Sequence, residues 1–316
     1  MAAIGKDIER AKALLEQGEL VGIPTETVYG LAGNALNDRS VTKIFSVKER
    51  PSFDPLIVHV PHVSDIQKYA HDIPEAAHKL AEAFWPGPLT LLLNRRDIIG
   101  DLVTSGLETV GLRCPNHSLT RELLALLDFP LAAPSANPFG YVSPTTATHV
   151  NDQLGNKIQY ILDGGACDVG IESTIIGFEQ DKPVMYRAGG LSVEQIEAII
   201  GQVKVQTQST SNPKAPGQLI SHYAPLKKLI VGNLEELIQH HAKQTVGIIS
   251  FQKEFNMKYQ RVLSPSGSLE EAARHFFSAL RDLDGMPVDL ILAEFVPGYG
   301  LGRAINDRLK RASSHV

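Results

Sequence analysis

Two cysteines, Cys114 and Cys167, are all that the 316-residue chain contains, and no Cys-x-x-Cys spacing joins them. That excludes a disulfide framework and a cysteine-built zinc site, and both side chains read as ordinary buried thiols of a reducing compartment. No apolar run approaches the ~20 residues a bilayer-crossing helix requires. Membrane association is therefore not expected, and the expected location is cytoplasmic. Positive charge is not in excess either: 30 Lys+Arg stand against 35 Asp+Glu, a net charge of −5. Without a chain-wide basic field to hold a long nucleic acid, an anionic ligand must be gripped by a local pocket. A Gly-x-x-x-x-Gly-Lys-Ser/Thr loop is missing, which excludes a P-loop nucleotide site. His-Glu-x-x-His is missing as well, and His59 and His62 near a strand end do not make a protein-built metal site. Internal repeats and low-complexity tracts are absent.

What is present is a soluble globular composition, 43% hydrophobic, with length for one large domain and a smaller one. Residues 1–20 place Ile8, Ala11, Leu14 and Leu15 on one face, which predicts a surface helix rather than a signal peptide. Short apolar runs at 20–24, 56–60, 89–93, 109–114, 131–133, 158–162, 174–178 and 184–186 predict strands. Helical patterns at 40–47, 73–85, 118–127 and 192–200 fall irregularly between them. Such irregular alternation predicts an α/β fold with a mixed twisted sheet and helices packed on it, rather than a doubly wound sheet. Residues 202–217, rich in Gln, Ser, Thr and Pro, cannot bury enough apolar surface to offset their ordering entropy, and predict a linker. Beyond it, strands at 229–231, 246–250 and 290–293 alternate with helices at 234–241, 269–283 and 301–312, a smaller Rossmann-like parallel α/β domain. Ser268-Leu269-Glu270-Glu271 reads as a capping box opening the second of these helices. Gly298-Tyr299-Gly300-Leu301-Gly302 has the wrong spacing for a dinucleotide turn and reads as a tight turn. The expected division is 1–200 for the large domain, 201–225 for the linker and 226–316 for the small domain.

Several polar residues stand at the ends of apolar runs. Lys48 and Arg50 precede the run 55–60, with no acidic pair nearby to neutralise both. Two readings stand side by side: a clamp for phosphate oxygens, or positive charge favoured at a helix C-terminus. Pro24-Thr25-Glu26-Thr27-Val28-Tyr29-Gly30-Leu31 follows the first strand and reads as a turn into a helix. There Thr25 or Thr27 serves as N-cap or as a ligand-facing hydroxyl. Ser135 and Asn137 end another strand, as ligand groups or as an Asx turn before Pro138. Arg113 sits inside a strand run, where a charge needs a partner or a ligand. Ser173 begins a strand and Arg187 ends the next.

In order along the chain, PTETVYGL, KER before PLIVHV, FWPGPLTLLL, TVGLRCP, APSAN, ESTI, YRAGG and HYAP resemble the YrdC-like threonylcarbamoyl-AMP synthases. The likeness is to the long two-domain form with a linker, and covers nearly the whole chain. It implies a nucleotidyltransferase that makes threonylcarbamoyl-AMP and pyrophosphate from ATP, L-threonine and bicarbonate or CO2. The product would pass to a downstream tRNA threonylcarbamoyl transferase, and direct tRNA binding by this chain is not expected.

The resemblance implies a threonine pocket of Thr27, His59, Arg113, the backbone around Ala133, and Ser173. It implies ATP contacts by Lys48, Arg50, Thr109, Ser135, Asn137, Ser143 and Arg187, with Tyr223 from the linker. Lys48 and Arg50 would act catalytically by stabilising phosphate charge, and Mg2+ would be held through the ATP phosphates. Where the family's run after KxRP is expected to carry an amide, this chain has Asp54. A carboxylate there must contact Mg2+, pair with Arg50 or accept a ribose hydroxyl to be a nucleotide contact. Tyr223 is expected either to close over the nucleotide as a lid or to dock the second domain. Competing readings are a non-enzymatic RNA-binding module and a carbamoyltransferase.

Overall fold

The structure is a computed structural model and describes residues 1–207, 215, 216 and 223–314. Much of the predicted linker, including His222, lies outside these residues. In chain order the first lobe contains β1 (Ala3–Gly5), α1 (Ile8–Glu16), β2 (Val21–Ile23), β3 (Gly30–Asn34), α2 (Asp38–Lys48), β4 (Ile57–His59), α3 (Ile66–Tyr69), α4 (Glu75–Phe84), β5 (Leu89–Asn94), α5 (Asp101–Thr104), β6 (Thr109–Arg113), α6 (Ser118–Ala125), β7 (Leu131–Ala132), α7 (Ala147–Leu154), β8 (Tyr160–Leu162), β9 (Thr174–Glu179), β10 (Lys182–Arg187), α8 (Val193–Ile200) and β11 (Lys204–Val205). The second lobe contains β12 (Lys228–Val231), α9 (Leu234–His240), β13 (Val246–Ser250), β14 (Gln260–Val262), α10 (Leu269–Gly285), β15 (Leu290–Ala293) and α11 (Gly302–Ser313).

The large sheet runs β1-β8-β2-β3-β7-β4-β6-β5-β9-β10-β11. Parallel pairs such as β4 with β6 alternate with antiparallel ones such as β5 with β6, so the sheet is mixed, as the irregular strand spacing predicts. The smaller sheet, β12-β15-β13-β14, is parallel throughout. Its edge strand β14 carries only half-buried residues, so no apolar run marked it.

Three local readings are corrected. Residues 1–20 hold a strand before the helix: β1 pairs with β8, and Asp7 caps α1 by accepting from the Arg10 N–H at 3.0 Å. The segment after the 24–28 turn is not a helix but β3, antiparallel to β2. Two glycines in five residues weaken a helix, and a Cβ at Gly33 would fall 2.6 Å from Ser40 Oγ, so the strand is pressed against α2 where a side chain does not fit. The capping box at α10 is half formed. Ser268 Oγ accepts from the Glu271 N–H at 3.1 Å, but the Glu271 carboxylate accepts from Ser266 at 2.6 Å and also from Ser264, and the Ser268 N–H turns to Ser264 Oγ.

The two lobes share a core. Val28, Val142 and Ile171 of the first lobe and Tyr223 pack with Phe276, Phe277, Leu280, Ile305 and Leu309 of the second. The Tyr223 and Phe277 rings lie 5.6 Å apart. Arg281 of α10 ties the lobes further, donating to Ser143 O, Val142 O and Gln153 Oε1. Asp284 accepts from Tyr141 Oη at 2.6 Å and from the backbone of Leu226 and Lys227.

Candidate active site

The site begins with sheet register. β4 and β6 run parallel with His59 opposite Arg113, and the Ala133 N–H donates to Ile57 O at 3.0 Å. Strand ends therefore bring His59, Arg113 and Ala133 to one wall. The turn before β3 supplies Thr27. Thr25 Oγ1 donates to Val28 O at 2.6 Å and accepts from the N–H groups of Thr27 and Val28, so Thr25 holds the turn while Thr27 faces the cavity. β9 opens just after Ser173 and β10 ends at Arg187, whose Nε and NH2 donate to Ser173 O and Oγ, both at 3.0 Å. A Cβ at Gly189 would lie 2.2 Å from Glu172 O, so only glycine lets the chain after Arg187 pass behind the Glu172-Ser173 backbone.

Thr27, Arg50, His59, Arg113, Ala133, Ser135, Ser173, Arg187 and Tyr223 all line one cavity. The empty space among its side chains and at its open mouth is ≈ 520 Å³. Three guanidinium groups, from Arg50, Arg113 and Arg187, converge on it. Arg113 contacts Glu26 Oε1 at 2.8 Å, yet its Nε makes no hydrogen bond among the described residues. Burial and the neighbouring Arg113 push His59 down to about 3, so the imidazole is neutral, and its Nδ1 has no hydrogen-bond partner among the described residues. A neutral ring nitrogen, hydroxyls and several planar cations form a set suited to a ligand with a carboxylate and phosphates.

Four predicted residues stand behind the wall. Lys48, the last residue of α2, is buried and donates to Ser135 O at 2.5 Å and Asn137 O at 2.6 Å. Burial and Arg50 push its amine well below its ordinary value, against the pull of Asp54. Lys48 thus pins the 135–137 loop while Arg50 lines the cavity, so the two cations read together as a phosphate clamp stand in different places. Asn137 Nδ2 donates to Pro138 O and Tyr141 O, fixing the same loop. Ser143 Oγ donates to Glu172 Oε1 at 2.6 Å.

Asp54 is the acidic partner of Arg50. A turn closed by its own N–H on Pro51 O brings the carboxylate 2.9 Å from Arg50 NH2, fully buried. Burial raises the Asp54 carboxyl and lowers Arg50, each shift opposed by the other's charge. Of the roles considered for Asp54, pairing with Arg50 is the one realised here. Thr109 stands apart. It opens β6, four residues and roughly 13 Å along the strand from Arg113, and borders a different depression with Asn94 and Phe178.

The sequence reading passed over Glu172, although it lies inside the ESTI motif. Its carboxylate lines the cavity, clamped between Ser143 and Arg308 Nε at 3.2 Å. An acid between Ile171 and a strand was the available signal, since a buried carboxylate requires a partner. Pro216 also lines the cavity and accepts from Arg187 NH1 at 3.3 Å. The carboxylates beside the cavity, Glu26, Asp54 and Glu172, are each matched to an arginine. This donor set does not suit a metal held by protein alone, and no group of three or more His, Cys, Asp and Glu among the described residues could hold one.

Sequence comparison matches residues 13–189 to the Sua5/YciO/YrdC family described as telomere recombination. Residues 191–314 match the domain described as threonylcarbamoyl-AMP synthase, C-terminal domain. The threonylcarbamoyl-AMP synthase of Pyrococcus abyssi is 41% identical over 323 residues, covering 98% of this chain and 94% of that protein. The Bacillus subtilis synthase is 40% identical over 97% of this chain and 92% of its own. The crystal structure of P. abyssi Sua5 complexed with L-threonine superimposes with a TM-score of 0.94 at 39% identity, covering 99% of this chain and 97% of that one.

Proposed function

The chain belongs to the Sua5/YciO/YrdC family in its two-domain form, and from that premise we propose that it is an L-threonylcarbamoyladenylate synthase. The reaction joins ATP, L-threonine and bicarbonate into threonylcarbamoyl-AMP and pyrophosphate. The observation that carries this reading is Arg113, a buried guanidinium at the cavity wall with an unpartnered Nε, set beside neutral His59 and the Thr27 and Ser173 hydroxyls.

In this mechanism Arg113 holds the threonine carboxylate through its planar fork, and Thr27, His59, Ser173 and the Ala133 backbone orient the remainder. Bicarbonate gives CO2 and hydroxide, and the threonine ammonium loses a proton. Its free amine adds to CO2, and a second N–H proton is released to solvent as the carbamate forms, so that water and one proton are the net by-products. A carbamate oxygen then attacks the α-phosphorus of ATP, and the bond to pyrophosphate breaks. Arg50, Arg187 and Ser135 bind the phosphates and spread the developing charge. Lys48, Asn137 and Ser143 act through the loop and carboxylate they hold. A Mg2+ ion, if brought by the triphosphate, would supply charge neutralisation beside Arg50 and Arg187. Tyr223, already in the cavity wall, serves as the lid, and opening it admits the nucleotide.

The product is an activated carbamoyl group for a separate tRNA-modifying transferase, in a cytosolic setting. A limit at 225 belongs to the proposal, supported by β12 beginning at Lys228, whereas the limit at 200 moves past β11, which pairs with β10 in the large sheet.

The test supplies purified protein with ATP, then threonine and bicarbonate separately and together. Pyrophosphate released only with all three supports the synthase. Release that depends on carbamoyl phosphate, or tight tRNA binding without turnover, overturns it.

A further inference from the structure

Arg308 on α11 is the largest fully buried side chain, and its contacts leave its own lobe. Its Nε reaches Glu172 Oε2 at 3.2 Å, and its guanidinium carbon lies 5.0 Å from the centroid of the Tyr223 ring. Both of those residues line the cavity, whereas Arg308 does not. Within its lobe Arg308 has a carboxylate of its own, Asp307 Oδ2 at 2.9 Å from NH1, which Arg311 shares.

Adhesion between the lobes does not require this ion. The apolar contact of Phe276, Phe277 and Leu309 with Val142 and Ile171 already joins them. Arg308 NH2 is moreover buried with no hydrogen-bond partner among the described residues, a destabilising arrangement that adhesion alone does not explain.

The neighbouring arginine supplies the reason. The donors of Arg187 go to Ser173 O, Ser173 Oγ and Pro216 O, while the Glu172 carboxylate is taken by Ser143 and Arg308. Glu172 already acts on Arg187 electrostatically, so released from Arg308 it would be free to turn toward Arg187, and a carboxylate facing the phosphates would repel them. We propose that Arg308 is a positioning residue through which the second lobe sets the nucleotide-binding wall. It draws Glu172 away from Arg187 and backs the Tyr223 ring, so that Arg187 is left for phosphate. The inference rests on the synthase reading above and gives the second domain a task within that reaction.

The test measures KM for ATP and for threonine by pyrophosphate release, with thermal unfolding alongside, in the full chain. Wild-type protein that releases no pyrophosphate would count against the synthase reading, independently of Arg308; ATP binding, measured separately with a fluorescent ATP analogue, still tests the positioning role. Arg308→Met should raise KM, or the dissociation constant, for ATP about tenfold, the effect of one lost charge-assisted contact. KM for threonine should stay within about twofold. Adding Glu172→Gln should bring the ATP value back toward wild type, because the misplaced charge is gone.

Arg308→Met leaves a buried carboxylate without its counter-charge, and the variant can fail to fold. In that event the double variant, with neither charge, decides: ATP binding within about threefold of wild type supports the role, and lost ATP binding overturns it. Equal shifts in both KM values that track a fall in Tm, or no shift in either, also overturn it.

Discussion

Glu26 and Arg113 meet at 2.8 Å with both side chains buried, and the second Glu26 oxygen accepts from the Asn116 N–H at 3.0 Å. The carboxylate lies outside the cavity wall and the guanidinium in it, so Glu26 neutralises Arg113 from behind and leaves the other side for a ligand. Removing one member of a buried pair strands the other charge. Glu26→Gln is predicted to destabilise the fold by about 3–5 kcal/mol in urea unfolding. A double change to methionine at both positions should recover much of that stability and still fail to bind threonine. A Glu26→Gln protein as stable as wild type would contradict this picture.

Arg113→Lys keeps the charge but loses the planar fork. A lost charge-assisted bond of about 1.5–3 kcal/mol corresponds to a rise in KM for threonine of roughly 10–100-fold. KM for ATP should hardly change. Equal rises for both substrates would place Arg113 on the nucleotide instead.

Lys48 supports Ser135 through the backbone and not through the cavity. Lys48→Met leaves the carbonyls of Ser135 and Asn137 without their donor, for a predicted loss of about 2–4 kcal/mol. The effect should appear in both Tm and KM for ATP. A variant with wild-type stability and only a lower kcat would restore Lys48 to direct phosphate contact.

The pH dependence of stability follows from His59. Its folded value, about 3, lies below the ordinary ~6.5. Between those values the unfolded chain binds a proton that the folded chain refuses, so stability is full above pH 6.5 and falls as pH drops. From pH 6.5 to 5 the predicted loss is about 2 kcal/mol. His149, pushed to about 4 by burial and Arg281, acts with the same sign. Asp54, whose carboxyl is raised, acts oppositely near the bottom of that window. Denaturant titrations of wild type and His59→Asn should show a shallower acid slope in the variant, and identical slopes would remove His59 as the cause.

Tyr223→Ala tests the lid. The ring is buried in the cavity wall at a left-handed backbone position, φ 66°. Its loss should raise KM for ATP by about tenfold or more, as a stacked, ordered wall is lost. An unchanged ATP KM and turnover would leave Tyr223 as a docking residue only.

Strand ends were the legible part of this chain. Runs such as 89–93 and 246–250 are apolar because both sheet faces are covered, whereas the polar residues His59, Arg113 and Arg187 at the ends of β4, β6 and β10 mark the site. Arg113 announced itself because a cation inside a strand needs a reason. For Asp54 the sequence offered three roles and could not choose among them: its pairing with Arg50 depends on a turn that returns the carboxylate beneath the guanidinium, and spacing alone does not specify that turn. β3 failed because Val28-Tyr29-Gly30-Leu31 fits helix and strand periods equally over so few residues, and the contact with Ser40 that decides it is tertiary. Glu172 and Arg308 are 136 positions apart in sequence, and no local pattern relates them.

The apolar contact between the lobes bears on how the protein can be cut. A truncation after β11 would leave Val28, Val142 and Ile171 facing water where Phe276, Phe277 and Leu309 now cover them. Such a fragment would carry a sticky apolar face beside its catalytic cavity, with Glu172 missing its counter-charge. The shared core predicts that the two halves unfold together, and shortened versions intended for crystallisation or display should keep α10 and α11.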